Sequence, residues 1–124
     1  MAKVIGEYAL TADPSTDRVW IAERAGENVG SVFLVRHPDR EGVCKLRLLL
    51  VDPKARGTGL GRKLVRECLS FAREAGYRRM TLWTNANLDA AKHIYDVEGF
   101  TLVAEEPHTM FGPELVGQTW ERDL

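Results

Sequence analysis

The run Leu48-Leu49-Leu50-Val51-Asp52-Pro53-Lys54-Ala55-Arg56-Gly57-Thr58-Gly59-Leu60-Gly61 decides how this chain reads, because the helical pattern Arg62 to Ala75 follows it directly. An apolar strand enters a glycine-rich turn, and the turn becomes the start of a helix. The first amides of a helix have no partner within it and carry the positive end of its dipole, so an anion is favoured there. Gly57, Gly59 and Gly61 leave no Cβ between those amides and a phosphate. Arg56, Arg62 and Lys63 add positive charge beside them. The stretch reads as a cradle for a diphosphate.

Two common phosphate loops do not fit. A P-loop needs Gly-x-x-x-x-Gly-Lys-Ser/Thr, and no Gly-Lys-Ser or Gly-Lys-Thr occurs in the chain. A dinucleotide fingerprint built on Gly57 and Gly59 needs a third glycine at position 62, which is Arg62. The spacing that does fit is Arg-x-x-Gly-x-Gly, at Arg56, Gly59 and Gly61.

With 124 residues, 44% of them hydrophobic and 28% charged, residues 1–124 read as one globular domain with a single core. A net charge of -1 gives no electrostatic footprint for nucleic acid. No signal peptide or membrane-length apolar run is present, so no membrane partner and a cytoplasmic location are expected. Cys44 falls in a predicted strand and Cys68 on the apolar stripe of a predicted helix, where buried free thiols are expected.

Residues 3–12 carry apolar side chains at 4, 5, 8 and 9, a helical spacing. Arg18 to Arg24 and Val29 to Arg36 read as a hairpin closed by Ala25-Gly26-Glu27-Asn28. Val43 to Val51 is the next strand, and its nearly continuous apolar half, Leu46 to Val51, predicts cover on both faces. The helix after the cradle has Leu60, Leu64, Val65, Cys68, Leu69, Ala72 and Ala75 on one stripe, with Gly76 as its stop. Arg79 to Thr84 is a strand that the helical crossover places parallel to Val43–Val51. A short helix follows, with Asn87 as its expected N-cap and Gly99 after its end. Thr101 to Glu105 and Val116 to Asp123 are strands joined by an irregular connection over Pro107 to Pro113. The fold class is α/β (α+β): a mixed, mainly antiparallel sheet flanked by helices.

The Arg56/Gly59/Gly61 motif after Val51-Asp52-Pro53 resembles the acetyl-CoA motif of the GCN5-related N-acetyltransferases (GNAT). Ala91-Lys92-His93-Ile94-Tyr95-Asp96-Val97-Glu98-Gly99-Phe100 is similar to that family's Ala-x-x-x-Tyr-x-x-x-Gly-Phe helix. More narrowly, Lys45–Val51, Met80–Asn85 and Val116–Glu121 resemble the acetyltransferase half of bacterial MarR-type regulator fusions. The likeness runs from about Arg18 to Leu124. It implies a GNAT-like sheet with a shortened N-terminus, because only about a helix's worth of chain precedes Arg18. It also implies an acceptor pocket left open, rebuilt, or completed by a second copy of the chain.

The resemblance implies an N-acetyltransferase that moves an acetyl group from acetyl-CoA to a primary amine of a small molecule or a protein. Acetyl-CoA would be held by the backbone of Leu49, Leu50 and Val51, by Arg56, Gly57, Thr58, Gly59, Leu60, Gly61 and Arg62, and beside Asn87. Where the family often has asparagine seven residues before its tyrosine, this chain has Leu88; where some members place a glutamate six residues ahead of Val51, it has Lys45. Tyr95 is the candidate general acid for the leaving thiolate. Glu23, Glu105, Glu106 and His108 are the candidate bases. Lys45 and Arg47 share a strand face and suit an acidic substrate group. Trp83 and Trp120 are candidates to line the acceptor pocket. Three histidines and two cysteines show no ligand spacing, so no metal is expected. The competing expectation is a CoA-binding regulatory module without turnover.

Overall fold

Strands β1 (Lys3–Tyr8), β2 (Arg18–Arg24), β3 (Glu27–Arg36), β4 (Val43–Val51), β5 (Arg79–Asn85), β6 (Thr101–His108) and β7 (Leu115–Asp123) combine with helices α1 (Leu60–Glu74) and α2 (Asp89–Val97). In the computed structural model these strands form one sheet in the order β1-β2-β3-β4-β5-β7-β6. The structure describes residues 3–8, 17–108 and 115–124, with 3–8, 108 and 115 described by backbone alone. Only β4 and β5 are parallel, joined by the crossover through α1; every other neighbouring pair is antiparallel. The mixed, mainly antiparallel sheet expected from the sequence is present.

The N-terminal segment departs from its expected helix. Residues 3–8 are a strand paired to β2, and the register slips between Val4 and Gly6. That slip breaks the period of two by which a strand is recognised, and it leaves a spacing that imitates a helix. The β2–β3 turn is also tighter than expected. Ala25 (φ 53°) and Gly26 (φ 82°) make the whole turn, and β3 already begins at Glu27. Positive φ at both positions suits a two-residue hairpin, whose twist matches that of its strands. At the other end, β6 runs to His108, so Pro107 and His108 belong to the edge strand, and residues 109–114 of the expected connection lie outside the described residues.

The core lies on one face of the sheet. Trp20 and Ala22 of β2, Val32 and Leu34 of β3, Cys44 and Leu46 of β4, Met80 and Leu82 of β5, and Trp120 of β7 are all buried there. Against them α1 buries Leu60, Leu64, Val65, Cys68, Leu69 and Ala72, while α2 contributes Tyr95 to the same cluster. The expected stripe is therefore the buried one, except that Ala75 is exposed where Gly76 (φ 89°) ends the helix. Trp20 meets Phe71 edge to face at 5.6 Å. Both cysteines are free and buried, and burial pushes the Cys44 thiol up to about 12 and Cys68 well above its ordinary value. The opposite face carries no helix among the described residues. By strand alternation it presents Val19, Ile21, Ser31, Phe33, Val35, Lys45, Arg47 and Trp83.

The apolar half of β4 is not covered on both faces as expected: Leu48 and Leu50 are 58% and 60% exposed. Leu48 sits at φ 53°, and Leu48 and Leu49 together oppose the single Val32 of β3. This bulge bends β4 away from β5, whose pairing with it stops at Leu46 and Leu82. The two strands fork at that point, and the fork exposes what a continuous sheet would cover.

At the closed end of the sheet, away from the fork, Glu121 is buried and accepts hydrogen bonds from Arg40 Nη1 and Arg79 Nε, each at 2.6 Å. Chiefly through the bond from Arg40, its carboxyl is held at about 2 instead of 4.5. The unfolded chain takes up this proton first as pH falls, so the contribution to stability is complete above 4.5 and is lost on the way down to about 2. Urea unfolding across that window should therefore show the native chain losing stability more steeply than Glu121→Gln; parallel losses would contradict the assignment.

Candidate active site

The cradle loop is built from its neighbours inward. The Asp52 amide donates to Val29 O at 2.7 Å, which anchors the end of β4 on β3. Asp52 Oδ1 accepts from the Lys54 amide at 2.9 Å and opens a single 3-10 turn over Pro53–Ala55. Arg24 Nη2 donates to Lys54 O at 3.0 Å and ties that turn to the end of β2. Gly57 (φ 79°) and Gly59 (φ 81°) then adopt the left-handed conformation that favours glycine, and Gly59 is the N-cap of α1. Open space surrounds the missing Cβ of each.

The consequence is a row of unsatisfied donors. The Arg56 amide bonds to Pro53 O at 3.4 Å and the Lys63 amide to Gly59 O at 3.1 Å. Between them, the amides of Gly57 to Arg62 have no acceptor in hydrogen-bond geometry among the described residues. Backbone donors normally find partners, so six in sequence at a helix N-terminus are a site for an anion with several oxygens. That fits the diphosphate of CoA.

These residues line a cleft of about 1130 Å³. Of the residues expected to bind CoA, Leu49, Leu50, Val51, Arg56, Gly57, Gly59, Leu60, Gly61, Arg62 and Asn87 line it. Thr58 does not; its hydroxyl donates to Ala55 O at 2.5 Å and closes the loop. Asn87 lines the cleft but does not cap α2, whose N-cap is Leu88 with no side-chain hydrogen bond. The tetrad Asn87-Leu88-Asp89-Ala90 instead forms wall, together with Ala91, His93 and Ile94. Val19, Ile21 and Phe33 extend the lining onto the helix-free face of the sheet. The sequence reading missed these three, although their alternation opposite Trp20 and Val32 marks them.

The three glycines do different work. Gly57 and Gly59 shape the loop, but a Cβ on Gly61 would stand 2.6 Å from Ile94 Cδ1. Gly61 is therefore also the place where α2 comes down on α1, in addition to its place in the cleft lining. Arg62 lines the cleft while its Nε donates to Glu98 Oε1 at 3.1 Å, and Arg66 Nε donates to the same oxygen at 2.8 Å. Glu98 is buried, so it holds both guanidinium groups beside the cradle.

Tyr95 lies in the core and not in the cleft lining. Its ring meets Phe100 edge to face at 5.9 Å, and burial raises its phenol to about 12. None of the candidate bases Glu23, Glu105 and Glu106 lines the cleft, and Glu105 accepts from Gln118 Nε2 at 2.6 Å. The His108 side chain lies outside the described residues. Trp120 is buried and donates through Nε1 to Gln118 Oε1 at 3.1 Å, whereas Trp83 is 50% exposed beside the fork. Among the described residues, no three His, Cys, Asp or Glu side chains group as metal ligands. No helix there is long and apolar enough to cross a membrane.

Comparison with known proteins agrees with this geometry. The model of the acetyltransferase (GNAT) family matches residues 3–100, and the chain belongs to that family. The mycothiol acetyltransferase of Cellulomonas flavigena is 35% identical over 105 residues, which are 78% of this chain and 30% of that protein. The uncharacterized N-acetyltransferase YjgM of Escherichia coli is 32% identical over 117 residues, 79% of this chain and 70% of its own length. The chain thus spans about a third of the first relative and more than two thirds of the second. Among solved structures, yncA from Salmonella typhimurium, determined with its cofactor acetyl-CoA, superposes with a TM-score of 0.78 and 25% identity, over 87% of this chain and 65% of that one. A GNAT acetyltransferase from Streptococcus pneumoniae shares the fold with a TM-score of 0.80.

The glycine assignment has a direct test. Gly61→Ala forces Ile94 Cδ1 to move, so its effect on the urea midpoint should be more favourable in an Ile94→Val background, which lacks that carbon, than in the native chain. Strictly additive effects would contradict the assignment.

Proposed function

We propose that this chain is an acetyl-CoA-dependent N-acetyltransferase acting on a primary amine of a small molecule or protein. The observation that carries the reading is the row of partnerless amides from Gly57 to Arg62 at the mouth of a cleft that runs along Leu49–Val51. The cradle holds the diphosphate, and Arg56 and Arg62 add charge. The exposed β4 segment Leu49–Val51 offers backbone groups to the pantetheine arm as a strand edge offers them to a peptide. The cleft brings donor and amine together, and that approximation supplies much of the rate.

The role proposed for Tyr95, which stands in the core outside the cleft lining, is to assist the departing sulfur, and it rests on the likeness of Ala91–Phe100 to the family's tyrosine helix. A phenol at about 12 stands well above an ordinary thiol near ~8.5, so full proton transfer to a thiolate is uphill. Its contribution is a hydrogen bond to the sulfur as charge develops there, and the acceptor amine supplies the proton that is finally lost. Solvent takes up the role of base, since no candidate carboxylate reaches the cleft lining.

The narrower likeness to MarR-type fusions rests on Lys45–Val51, Met80–Asn85 and Val116–Glu121, which are the neighbouring strands β4, β5 and β7. A bacterial, cytoplasmic setting suits two buried free thiols. A homodimer in which a second copy closes the helix-free face suits the exposed Leu50 and Trp83 there. A CoA-binding module without turnover remains the competing reading, and it is favoured by Lys45 in the place of a glutamate.

Thiol release from acetyl-CoA over a panel of primary amines separates the two. Turnover is expected, and Tyr95→Phe should lower kcat by about 10- to 100-fold, the worth of one hydrogen bond to a developing charge, with CoA affinity unchanged. Tight CoA binding with no thiol release over any amine would overturn the enzyme reading, and an unchanged kcat in Tyr95→Phe would overturn the role of Tyr95.

A further inference from the structure

The fork between β4 and β5 carries a positive charge that the fold leaves uncompensated. Phe33 pairs with Arg47 across β3 and β4, and Trp83 pairs with Thr119 across β5 and β7. The last rung joining β4 to β5 is Leu46–Leu82, so Arg47 and Trp83 are the first residues past it on either arm. By alternation both side chains lie on the helix-free face, with Lys45 two residues before Arg47 on the same face. Arg47 and Trp83 are exposed and Lys45 is half-buried.

The acids of that face are either committed or distant, and Glu106 stands on the edge strand opposite Gly117, two strands beyond β5. Glu121 is held by Arg40 and Arg79, and Asp123 is paired with Arg79. Glu23 lies farther along β2, opposite Asn28. Among the described residues, neither Arg47 nor Lys45 has an ion pair or side-chain hydrogen bond. The Trp83 ring leans over Gly117 of β7, which leaves the β5 side of Arg47 open. An arginine fixed by its strand beside Phe33, with its charge unspent, is suited to a planar anion. Phe33 lines the cleft together with Val19 beside it, so the cleft reaches the β3 neighbour of Arg47, while Arg47 and Lys45 stand just outside the lining.

The position along β4 connects the charge to the chemistry. The cradle follows Val51, at one end of the Leu49–Val51 segment, and Arg47 stands at the other end, before the bulge at Leu48. A molecule gripped by its diphosphate and laid along that segment has its far end at the fork. The acceptor must approach there.

We propose that the acceptor is a primary amine bearing a carboxylate, which Arg47 binds at the fork, with Lys45 adding long-range attraction and Phe33 beside the carbon chain between the two groups. This rests on the transferase reading, and it narrows the acceptor to one chemical class.

The test compares acceptors matched in size, 4-aminobutyrate against 4-aminobutyramide and β-alanine against β-alaninamide, using thiol release from acetyl-CoA. The native protein should favour each carboxylate at least tenfold in kcat/KM, mainly through KM, and added salt should reduce the preference. Arg47→Gln should bring the ratio close to one, and Arg47→Lys should restore part of it. Turnover with no preference in the native protein, or a preference that Arg47→Gln leaves intact, would overturn the proposal while the transferase reading stands. A tryptophan-fluorescence titration with 4-aminobutyrate gives a second readout independent of turnover. Saturable binding lost in Arg47→Gln, without turnover on any amine, would support the anion site and reject the transferase. Neither binding nor turnover would reject both.

Discussion

Everything in this structure that bears on function depends on where α1 begins. A helix that starts within a loop of alternating glycines has nothing of its own to offer its first amides. Here the left-handed turns at Gly57 and Gly59 keep the preceding carbonyls from supplying an acceptor, so the donors from Gly57 to Arg62 are left open together. A buried helix end in that state would be costly; one at the mouth of a cleft is a binding site. The surrounding contacts serve this arrangement. Arg24 fixes the turn before it, the Asp52 amide fixes the strand before that, and Glu98 holds Arg62 and Arg66 alongside.

The fork is the second constraint, and it follows from a different kind of distortion. A bulge at Leu48 ends the pairing of β4 with β5 after Leu46, which turns the middle of a sheet into a local edge. Backbone groups and apolar side chains that a regular sheet would bury are presented to the cleft, at a point where helix-side and open-face residues both line it. Membership of the GNAT family thus has a local physical meaning in this chain: a phosphate cradle and a strand edge placed in succession along a single segment, Leu48 to Arg62.

Much of this was legible in the sequence because the signals were local. The cradle glycines, the α1 stripe, the parallel crossover and the buried thiols each depend on spacing within one element or its immediate flanks. What escaped depended on irregularity or distance. The slip near Ile5 erased the alternation of β1, so a strand read as a helix. The bulge at Leu48 made an apolar run half exposed, where continuity had predicted full cover. The packing of Gly61 against Ile94, on another helix, is a contact that no local pattern reveals. Asn87 had the chemistry of a cap, but the helix starts one residue later, and Asn87 is part of the cleft lining instead. The open-face lining by Val19, Ile21 and Phe33 needed the three-dimensional course of the cleft before alternation could be put to use.

The most direct measurement is a titration of the isotopically labelled protein with CoA, followed by amide resonances. The account predicts that the amides of Gly57 to Arg62 shift most and gain protection from solvent exchange, and that dephosphorylated pantetheine lacking the diphosphate leaves them nearly unmoved. Shifts concentrated elsewhere in the sheet, or an equal response to pantetheine alone, would contradict it.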